Sequence, residues 1–334
     1  MAFIEKIWYE SNPLAILLAP LAWCFCLLVL LRRFCYRAGI LKAQKMPVPV
    51  VVVGNITVGG TGKTPLVVAI IEHLKRNGFN PGIISRGYGG NAPDWPQTVN
   101  ANSDPAIVGD EAVLLARRCQ CPMSVGPDRP QAARVLLDKH ECDVIISDDG
   151  LQHYALHRDI EVVLIDGARG FGNKHCLPAG PLREPAQRII EADYVIINTV
   201  NNATQSTTKN IKMGGEIEMT LHMQAARNLK QSQISIELLE FVNKPVHAVA
   251  GIGNPQRFFS QLKNMGIRVI EHPYKDHHGF TPSDVDFDDE LPVLMTEKDA
   301  VKCLSFAQEK HWYVPVTAQI NNDFLQNLAE KLRK

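Results

Sequence analysis

The chain has 334 residues, which is long for one domain and predicts two. Its 35 basic residues balance its 35 acidic residues, so no overall charge would attract nucleic acid, and we predict no nucleic-acid partner. The eight cysteines are scattered, and their spacing offers no paired set for zinc. They are expected to be reduced thiols of an intracellular protein.

The N-terminal region joins an apolar run to a basic segment. Residues 14–31 are 18 positions without a charge, just long enough to approach a bilayer span. Pro13 and Pro20 interrupt this run, so a helix lying in the membrane interface is an alternative, and a buried soluble helix is another. A cleaved signal peptide fits less well, because no small-residue cleavage site follows. By the positive-inside rule, the body is cytoplasmic if the basic residues adjoin the membrane; these are Arg32, Arg33, Arg37, Lys42 and Lys45.

A glycine-rich turn follows the first strand-like run. Val48–Val53 predicts a strand, Gly54–Pro65 contains Gly-Lys-Thr, and the next stretch predicts a helix over Thr64–Asn77. This order is the layout of a phosphate-binding loop, in which Lys63 reaches the β- and γ-phosphates of a nucleotide and the Thr64 hydroxyl binds Mg²⁺. Thr57 stands where the general pattern has its first glycine, and a purely structural glycine turn is the alternative. The predicted nucleotide-binding residues are Thr57, Val58, Gly59, Gly60, Thr61, Gly62, Lys63 and Thr64.

Strand-like and helix-like patterns alternate from residue 48 to about residue 200, which predicts a parallel sheet covered on both faces. The further predicted strands of this domain are Gly82–Ser85, Asp143–Ser147, Glu161–Ile165 and Tyr194–Ile197. Its further predicted helices are Asp110–Cys119 and Arg129–His140.

The second half of the chain predicts a linker and a smaller α/β domain. Asn198–Lys212 is rich in Asn and Thr and predicts a loop. Alternation of apolar and polar residues over 217–223, together with Ile234 and Ile236, predicts a two-stranded linker. The elements predicted after it are strands Val246–Ala250, Arg268–Glu271, Pro292–Met295 and Trp312–Pro315, and helices Pro255–Met265 and Asn322–Lys334. The predicted divisions are 1–46 for the membrane-associated segment, 47–212 for the phosphate-binding domain, 213–240 for the linker and 241–334 for the smaller domain.

Two carboxylates end the strand at 143–147. Asp148 and Asp149 follow the apolar run directly, as in a Walker B motif. Carboxylates at the carboxyl end of a parallel strand can hold Mg²⁺ opposite the threonine of a phosphate-binding loop. Capping of a helix is the alternative role for this pair.

Two further groups suit proton transfer. Asp110, in Gly109-Asp-Glu111, opens an apolar helix and is either its N-cap or a general base near the phosphate site. His277, in Asp276-His-His278, follows a strand of the second domain, where a histidine beside an aspartate suits orientation or proton transfer.

Two arginines occupy loops at the same predicted edge. Arg86 lies in Ser85-Arg-Gly-Tyr-Gly-Gly90, and Arg183 lies in Gly180-Pro-Leu-Arg-Glu184. Guanidinium groups at such positions suit phosphate or another anion, although ordinary surface arginines are the alternative.

Together these motifs resemble the tetraacyldisaccharide 4′-kinase family of lipid A biosynthesis, over nearly the whole chain and in one order. The family's usual Asp-Asp-Gly-Phe-Gln-His has Leu151 in place of Phe, and its phosphate-binding loop has the same form as that around Thr57. The elements that carry the resemblance are the apolar N-terminal helix, Gly54–Pro65, Ser85–Gly89, Gly109–Glu111, Asp148–His153, Gly180–Glu184, Asp276–His278 and Thr296–Asp299.

The resemblance implies transfer of the γ-phosphate of ATP to the 4′-hydroxyl of a tetraacylated glucosamine disaccharide 1-phosphate. It implies that Asp110 accepts the hydroxyl proton, that His277 orients it, and that Lys63 and Thr64 hold phosphate and Mg²⁺. It also implies two α/β/α domains joined by a two-stranded linker, closing over the site. The acid pair with Gln152 would complete the metal site, and the lipid would be bound by Arg86, Tyr88, Glu111 and Arg183.

A lipid with four acyl chains stays in the bilayer, so a membrane-associated N-terminal helix would place the enzyme beside this substrate. We therefore expect a monomer attached to the bacterial inner membrane, with its catalytic body on the cytoplasmic side. The alternative is a membrane-attached P-loop GTPase or switch protein, since Thr296-Glu-Lys-Asp299 approximates a guanine-binding motif with its lysine one place late. A non-catalytic membrane scaffold would leave the acid pair and Asp110 without a purpose.

Overall fold

The computed structural model describes residues 2–10, 12–199 and 215–333, whose strands form two sheets. The helices are α1 Ala2–Tyr9, α2 Leu14–Arg37, α3 Lys63–Arg76, α4 Pro105–Val108, α5 Asp110–Cys119, α6 Arg129–Lys139, α7 Pro255–Asn264, α8 Pro282–Val285, α9 Glu297–Cys303 and α10 Asn322–Leu332. The strands are β1 Val50–Gly54, β2 Pro81–Ser85, β3 Gln97–Val99, β4 Met123–Val125, β5 Val144–Asp148, β6 Ile160–Asp166, β7 Tyr194–Thr199, β8 Ile217–Met223, β9 Ala226–Asn228, β10 Ser235–Ile236, β11 Pro245–Ala250, β12 Arg268–Pro273, β13 Val293–Thr296, β14 His311–Val314 and β15 Val316–Ile320.

The larger sheet has the strand order β15, β8, β7, β6, β1, β5, β2, β4 and β3 within the described residues. Its centre is β1, a run of buried valines that pairs in parallel with β5 and β6. Val53 lies opposite Asp148, so the turn after β1 and the acids after β5 meet at one edge of the sheet. Ligands of open α/β sheets bind at this carboxyl edge.

Apolar side chains cover both faces of the larger sheet. Leu66 of α3, Leu115 of α5 and Leu325 of α10 belong to the core on one face. Leu136 of α6 belongs to the core on the other face, where Phe25 of α2 packs at the margin. This two-sided burial is what the alternation of strands and helices predicts.

The smaller sheet has the order β10, β9, β14, β13, β11 and β12 in the part of the chain described. One of its two middle strands, β13, pairs in parallel with β11 and β14. Phe258, Phe259 and Leu262 of α7 are buried in its core. The predicted fold class is confirmed: a phosphate-loop-type parallel sheet with a second, smaller α/β unit and an apolar N-terminal helix.

Two strands of the larger sheet connect it to the smaller one. The chain leaves through β8 and returns through β15, and these strands pair antiparallel from Met219 opposite Ile320 to Met223 opposite Val316. The predicted pairing of 217–223 with Ile234 and Ile236 is wrong, because β10 pairs with β9 at the edge of the smaller sheet. Apolar alternation identifies a half-buried strand but not its neighbour.

The C-terminal segment belongs to the larger sheet. α10 contacts α3, and Leu328 is buried in the larger core. The predicted smaller domain, 241–334, therefore extends too far, since its sheet ends with β14. The predicted loop 198–212 begins too early, because Asn198 and Thr199 complete β7, and its remaining residues lie outside the described ones.

Helix α2 has one buried stripe and a broad exposed apolar face. Ala15, Ala19 and Ala22 recur at helical spacing and are buried, whereas Leu21 is 60% and Leu28 65% exposed. Within the described residues, α2 is the helix long and apolar enough to cross a membrane.

Candidate active site

The turn between β1 and α3 has the backbone that a phosphate-binding loop requires. Gly62 precedes α3 with φ +97°, a conformation that favours glycine, and a Cβ there would lie 2.9 Å from Asn198 Nδ2. The same Nδ2 donates to the Thr61 carbonyl at 2.8 Å. The loop is therefore fixed from the end of β7, and the N-terminus of α3 faces the site.

The unusual Thr57 is held by a neighbouring loop. Thr57 forms an antiparallel bridge with Leu182, and the Val58 amide donates to the Pro181 carbonyl at 2.9 Å. Asn55, which is fully buried, donates from Nδ2 to the Thr57 carbonyl at 2.7 Å. These bonds fix the backbone at Thr57, the position at which the general pattern has a glycine.

Lys63 lies between an amide and a carboxylate. Its Nζ donates to Asn55 Oδ1 at 3.1 Å and lies 3.5 Å from Asp149 Oδ1. Asn55 lies in the glycine-rich turn, but the sequence predicts no role for it, because an asparagine after a strand can serve many purposes. Its position beside the lysine ammonium makes it an orienting group.

The two adjacent acids have opposite environments. Burial raises the pKa of Asp148 to about 7, with further increases from the nearby Glu111 and Asp149. Burial would also raise the pKa of Asp149, but Lys63 and Arg183 together hold it at about 2. Arg183 Nη1 lies 3.2 Å from both carboxylate oxygens of Asp149. Asp149 is thus already neutralised by cations, whereas Asp148 is not.

The residues at this edge fit a magnesium ion. Asp148 Oδ2 accepts from Ser85 Oγ at 3.5 Å, while its buried Oδ1 has no hydrogen-bond partner in the described chain. A buried carboxylate oxygen without a partner offers the hard oxygen ligand that Mg²⁺ prefers, and the adjacent Asp149 lines the same cavity as Thr64. Within the described residues no group of three or more His, Cys, Asp or Glu side chains is arranged for a metal. A site of few protein ligands suits Mg²⁺, which usually keeps several waters.

Gln152 lies beside the acids but is hydrogen-bonded to the protein. Its Nε2 donates to the Asn55 carbonyl at 3.1 Å and to Glu184 Oε1 at 2.9 Å. Its Oε1 lies 3.5 Å from Arg183 Nη1. Its predicted role as a metal ligand stays a prediction.

Asp110 and His277 meet across the two sheets. Gly109 is the N-cap of α5 and Asp110 its first residue, so the N-cap interpretation of Asp110 is wrong. His277 Nδ1 lies 3.1 Å from both Asp110 carboxylate oxygens, although 167 residues separate the pair. His277 follows β12 and has φ +59°, which brings its ring back over α5. The structure thus brings together the two residues that the motifs singled out separately.

The pair favours its ionised form. The hydrogen bond with Asp110 raises the pKa of His277. Burial would raise the pKa of Asp110, but the hydrogen bond from His277 and the nearby Lys298 lower it. Asp110 therefore remains a carboxylate and can accept a proton from a neighbouring hydroxyl.

A single cavity of about 870 Å³ connects these groups. Lys63, Asp149 and His277 all line it, so both halves of the site open into one space. Helices α1 and α2 contribute Trp8 and Arg32 to its wall. The apolar N-terminal helices therefore border the cavity that holds the phosphate-binding loop.

The other predicted binding residues also border this cavity. Tyr88 is 59% exposed and its ring centre lies 4.8 Å from that of His277. Arg86 is exposed nearby, and Glu111 pairs with Lys298 at 2.9 Å. Arg183 is predicted to bind the lipid, and in the structure its guanidinium is paired with Asp149. His278 points elsewhere, with its Nε2 lying 3.3 Å from Asp284.

A phosphate-binding loop, an acid pair at the same sheet edge and a carboxylate–histidine pair define the class of P-loop phosphotransferases, and one cavity is lined by the loop, Asp149 and His277. The chain matches the family described as tetraacyldisaccharide-1-P 4′-kinase over residues 14–333. It is 49% identical to the tetraacyldisaccharide 4′-kinase of Nitrosococcus oceani, covering 99% of this chain and 96% of that protein. It is 47% identical to that of Methylobacillus flagellatus, again covering 99% and 96%.

A solved structure has the same fold. The crystal structure of LpxK from Aquifex aeolicus in complex with ATP superposes with a TM-score of 0.78 and 27% identity, covering 96% of this chain and 98% of that one. The chain belongs to the tetraacyldisaccharide 4′-kinase family and is an ATP-dependent kinase of lipid A biosynthesis. The GTPase alternative is wrong on this evidence, and Asp299 of the supposed guanine motif is fully buried, with its Oδ2 accepting from the Gly251 amide.

Proposed function

We propose that this kinase transfers the γ-phosphate of ATP to the 4′-hydroxyl of a tetraacylated glucosamine disaccharide 1-phosphate. The observation that carries the proposal is the contact of Asp110 with His277, a residue that lines the same cavity as Lys63, Trp8 of α1 and Arg32 of α2. A carboxylate beside a phosphate-binding loop suits an alcohol acceptor, whose proton must be removed as the new P–O bond forms.

The proposed step assigns each group one task. Asp110 accepts the proton of the attacking hydroxyl, the bond between that oxygen and the γ-phosphorus forms, and ADP leaves with the electrons of the broken P–O bond. His277 fixes the Asp110 carboxylate and stabilises its charge through Nδ1. Lys63 stabilises the charge that develops on the transferred phosphoryl group.

Mg²⁺ is proposed as the metal partner of ATP. Asp148, Asp149 and Thr64 would hold it, with Gln152 as the further predicted ligand. When bound, Mg²⁺ would neutralise charge on the nucleotide phosphates. The unpartnered Oδ1 of Asp148 supports this assignment more than any other feature of the site.

The proposed substrate is anchored in the membrane, and α2 is suited to the same surface. Its contacts with the body include Phe25, which packs at the margin of the larger core, and Arg33, which pairs with Glu191. A helix held along one side by the protein supports the interface arrangement over a span. The basic residues after it support attachment to the cytoplasmic face of the inner membrane.

The lipid head group is proposed to contact Arg86, Tyr88, Glu111 and Arg183. The chain is proposed to act as a monomer. Residues 1–46, 47–212 and 213–240 stay the proposed limits of the N-terminal segment, the phosphate-binding domain and the linker. Because His277 comes from the smaller unit, separation of the two sheets would open the site and closure would assemble it.

A turnover assay tests this function. Full-length protein is mixed with Mg-ATP and the disaccharide lipid in detergent micelles, and ADP release is measured with and without lipid. We expect lipid-dependent release of ADP from ATP, and much less lipid-dependent release of GDP when GTP replaces ATP. Lipid-independent hydrolysis with GTP as the better substrate would refute the proposal.

A further inference from the structure

The segment Thr296-Glu-Lys-Asp299 has no part in the step proposed above, and it forms the turn from β13 into α9. Thr296 Oγ1 donates to Asp299 Oδ2 at 2.6 Å, and the same carboxylate oxygen accepts from the Gly251 amide at 2.9 Å. Thr296 and Asp299 therefore build the turn itself. The two residues between them, Glu297 and Lys298, instead form ion pairs with α5.

Lys298 connects both sheets to the catalytic pair. Its Nζ lies 2.9 Å from Glu111 of the larger unit and 3.2 Å from Asp276 of the smaller one. The same nitrogen lies 3.4 Å from His277 Nε2. Only 15% of its side chain is exposed. Burial would lower the pKa of Lys298, but Glu111 and Asp110 raise it, so the ammonium stays charged.

The ammonium restricts the tautomer of His277. A lysine ammonium can only donate hydrogen bonds, so Nε2 faces it favourably as an acceptor. The ring proton of the neutral imidazole then belongs on Nδ1, where it points at Asp110. The partner of one ring nitrogen thus determines what the other can do.

We infer that Lys298 is a positioning residue of the reaction, which holds His277 with Nδ1–H directed at Asp110 and couples this orientation to contact between the two sheets. The inference rests on the proposed function for the role of the pair. The titratable and charged groups around His277 are Asp110 and Glu111 of α5, Asp276 beside it, Lys298 and Lys302 of α9 and the Tyr88 phenol.

The test compares Lys298→Met with Glu297→Gln in the full-length protein. Methionine keeps an apolar stem without the charge. Glu297→Gln weakens the neighbouring pair with Arg118, 2.9 Å apart, without touching His277, so it controls for a looser contact between the sheets. We would measure kcat, KM for ATP and the pH profile of each variant. Nitrogen-15 NMR would report the His277 tautomer, with its signals assigned using His277→Gln.

Lys298→Met should lower kcat by about 10²-fold, the lower end for a positioned proton-transfer group, with KM for ATP little changed. Its His277 should titrate at higher pH, and Lys298→Arg should recover part of the rate. The Nδ1–H preference should weaken but persist, because Nε2–H could then donate to Asp276, 3.7 Å away, while Asp110 still favours Nδ1–H. A wild-type His277 spectrum and pH profile in Lys298→Met would overturn the inference, even with a reduced rate. An unmodified lipid after incubation with the wild-type protein would instead refute the proposed function. The NMR measurement needs no substrate, so it tests the role of Lys298 separately.

Discussion

Lys63 is the cation of the phosphate-binding loop, and it is proposed to contact the transferred phosphoryl group. Lys63→Ala should lower kcat by about 10²-fold or more, because a fixed charge is lost from the transition state. Lys139→Ala is the matched control, since Lys139 is exposed at the end of α6 and its Nζ donates to Thr98 Oγ1 of β3. The measurement is kcat from steady-state kinetics with saturating lipid. Near-normal turnover of Lys63→Ala would refute the phosphate-loop assignment.

Asp110 and His277 should act as one unit. Asp110→Asn and His277→Gln should each lower kcat by about 10²-fold to 10⁴-fold, with smaller effects on KM for ATP. The double variant should lose little beyond the worse single variant. His278→Gln serves as the control, because that neighbouring ring bonds Asp284 instead. Additive losses in this cycle would mean that the two residues work separately.

The same pair should make stability depend on pH. The bond to Asp110 raises the pKa of His277 above its ordinary value of 6.5. The stabilisation is therefore complete below pH 6.5 and is lost as the pH rises through the higher folded-state value. The Tm difference between wild-type and His277→Gln proteins should be larger at pH 6 than at about pH 9. An equal difference at both values would argue against a charged pair.

Single residues differ in how well the sequence predicts them. Lys63 and Thr64 follow from local spacing, because strand, turn and helix together fix their positions. Asp110 and His277 were each ambiguous alone, since their contact depends on the packing of two sheets. Lys298 could not be found, because its partners lie at 111, 276 and 277 and no local pattern records them.

At the scale of elements, α2 is suited to the membrane surface on one side only. Leu21→Glu with Leu28→Glu should weaken binding to vesicles by about 100-fold or more, since each buried leucine contributes about 2 kcal/mol. The stability of the body should change little, because both side chains are exposed. Vesicle sedimentation and thermal melting test this expectation.

Leu239→Glu provides the control for α2, because Leu239 is 70% exposed on the smaller unit. Its vesicle binding should equal that of the wild-type protein. If the α2 double variant also binds normally, another surface attaches the protein. If it unfolds instead, this face of α2 belongs to the core.

Most strands and helices could be predicted because their patterns are local. The helix Asp110–Cys119 has the predicted limits, with an acidic first turn and basic residues in its last. The partner of β8 could not be predicted, because it is β15, almost a hundred residues away. Short strands such as β3 and β9 were missed, since three residues carry too little periodicity.

At the scale of the molecule, ion pairs between α5 and α9 hold the two sheets around the site. Arg118 pairs with Glu297 and Glu111 with Lys298, both at 2.9 Å, and Lys302 lies 3.6 Å from Asp110. Separation of the sheets would return these charged groups to water, which offsets the loss of the ion pairs and suits a site that must admit ATP and a lipid head group.

The central claim is that this closed site phosphorylates one hydroxyl of a membrane lipid. The most direct measurement is phosphorus–proton correlation NMR on the product formed from Mg-ATP and the tetraacylated disaccharide 1-phosphate. We expect one new phosphate, coupled to the proton at the 4′ carbon, and a much weaker signal from Asp110→Asn after the same incubation. A phosphate on another hydroxyl, or release of inorganic phosphate without a modified lipid, would contradict it.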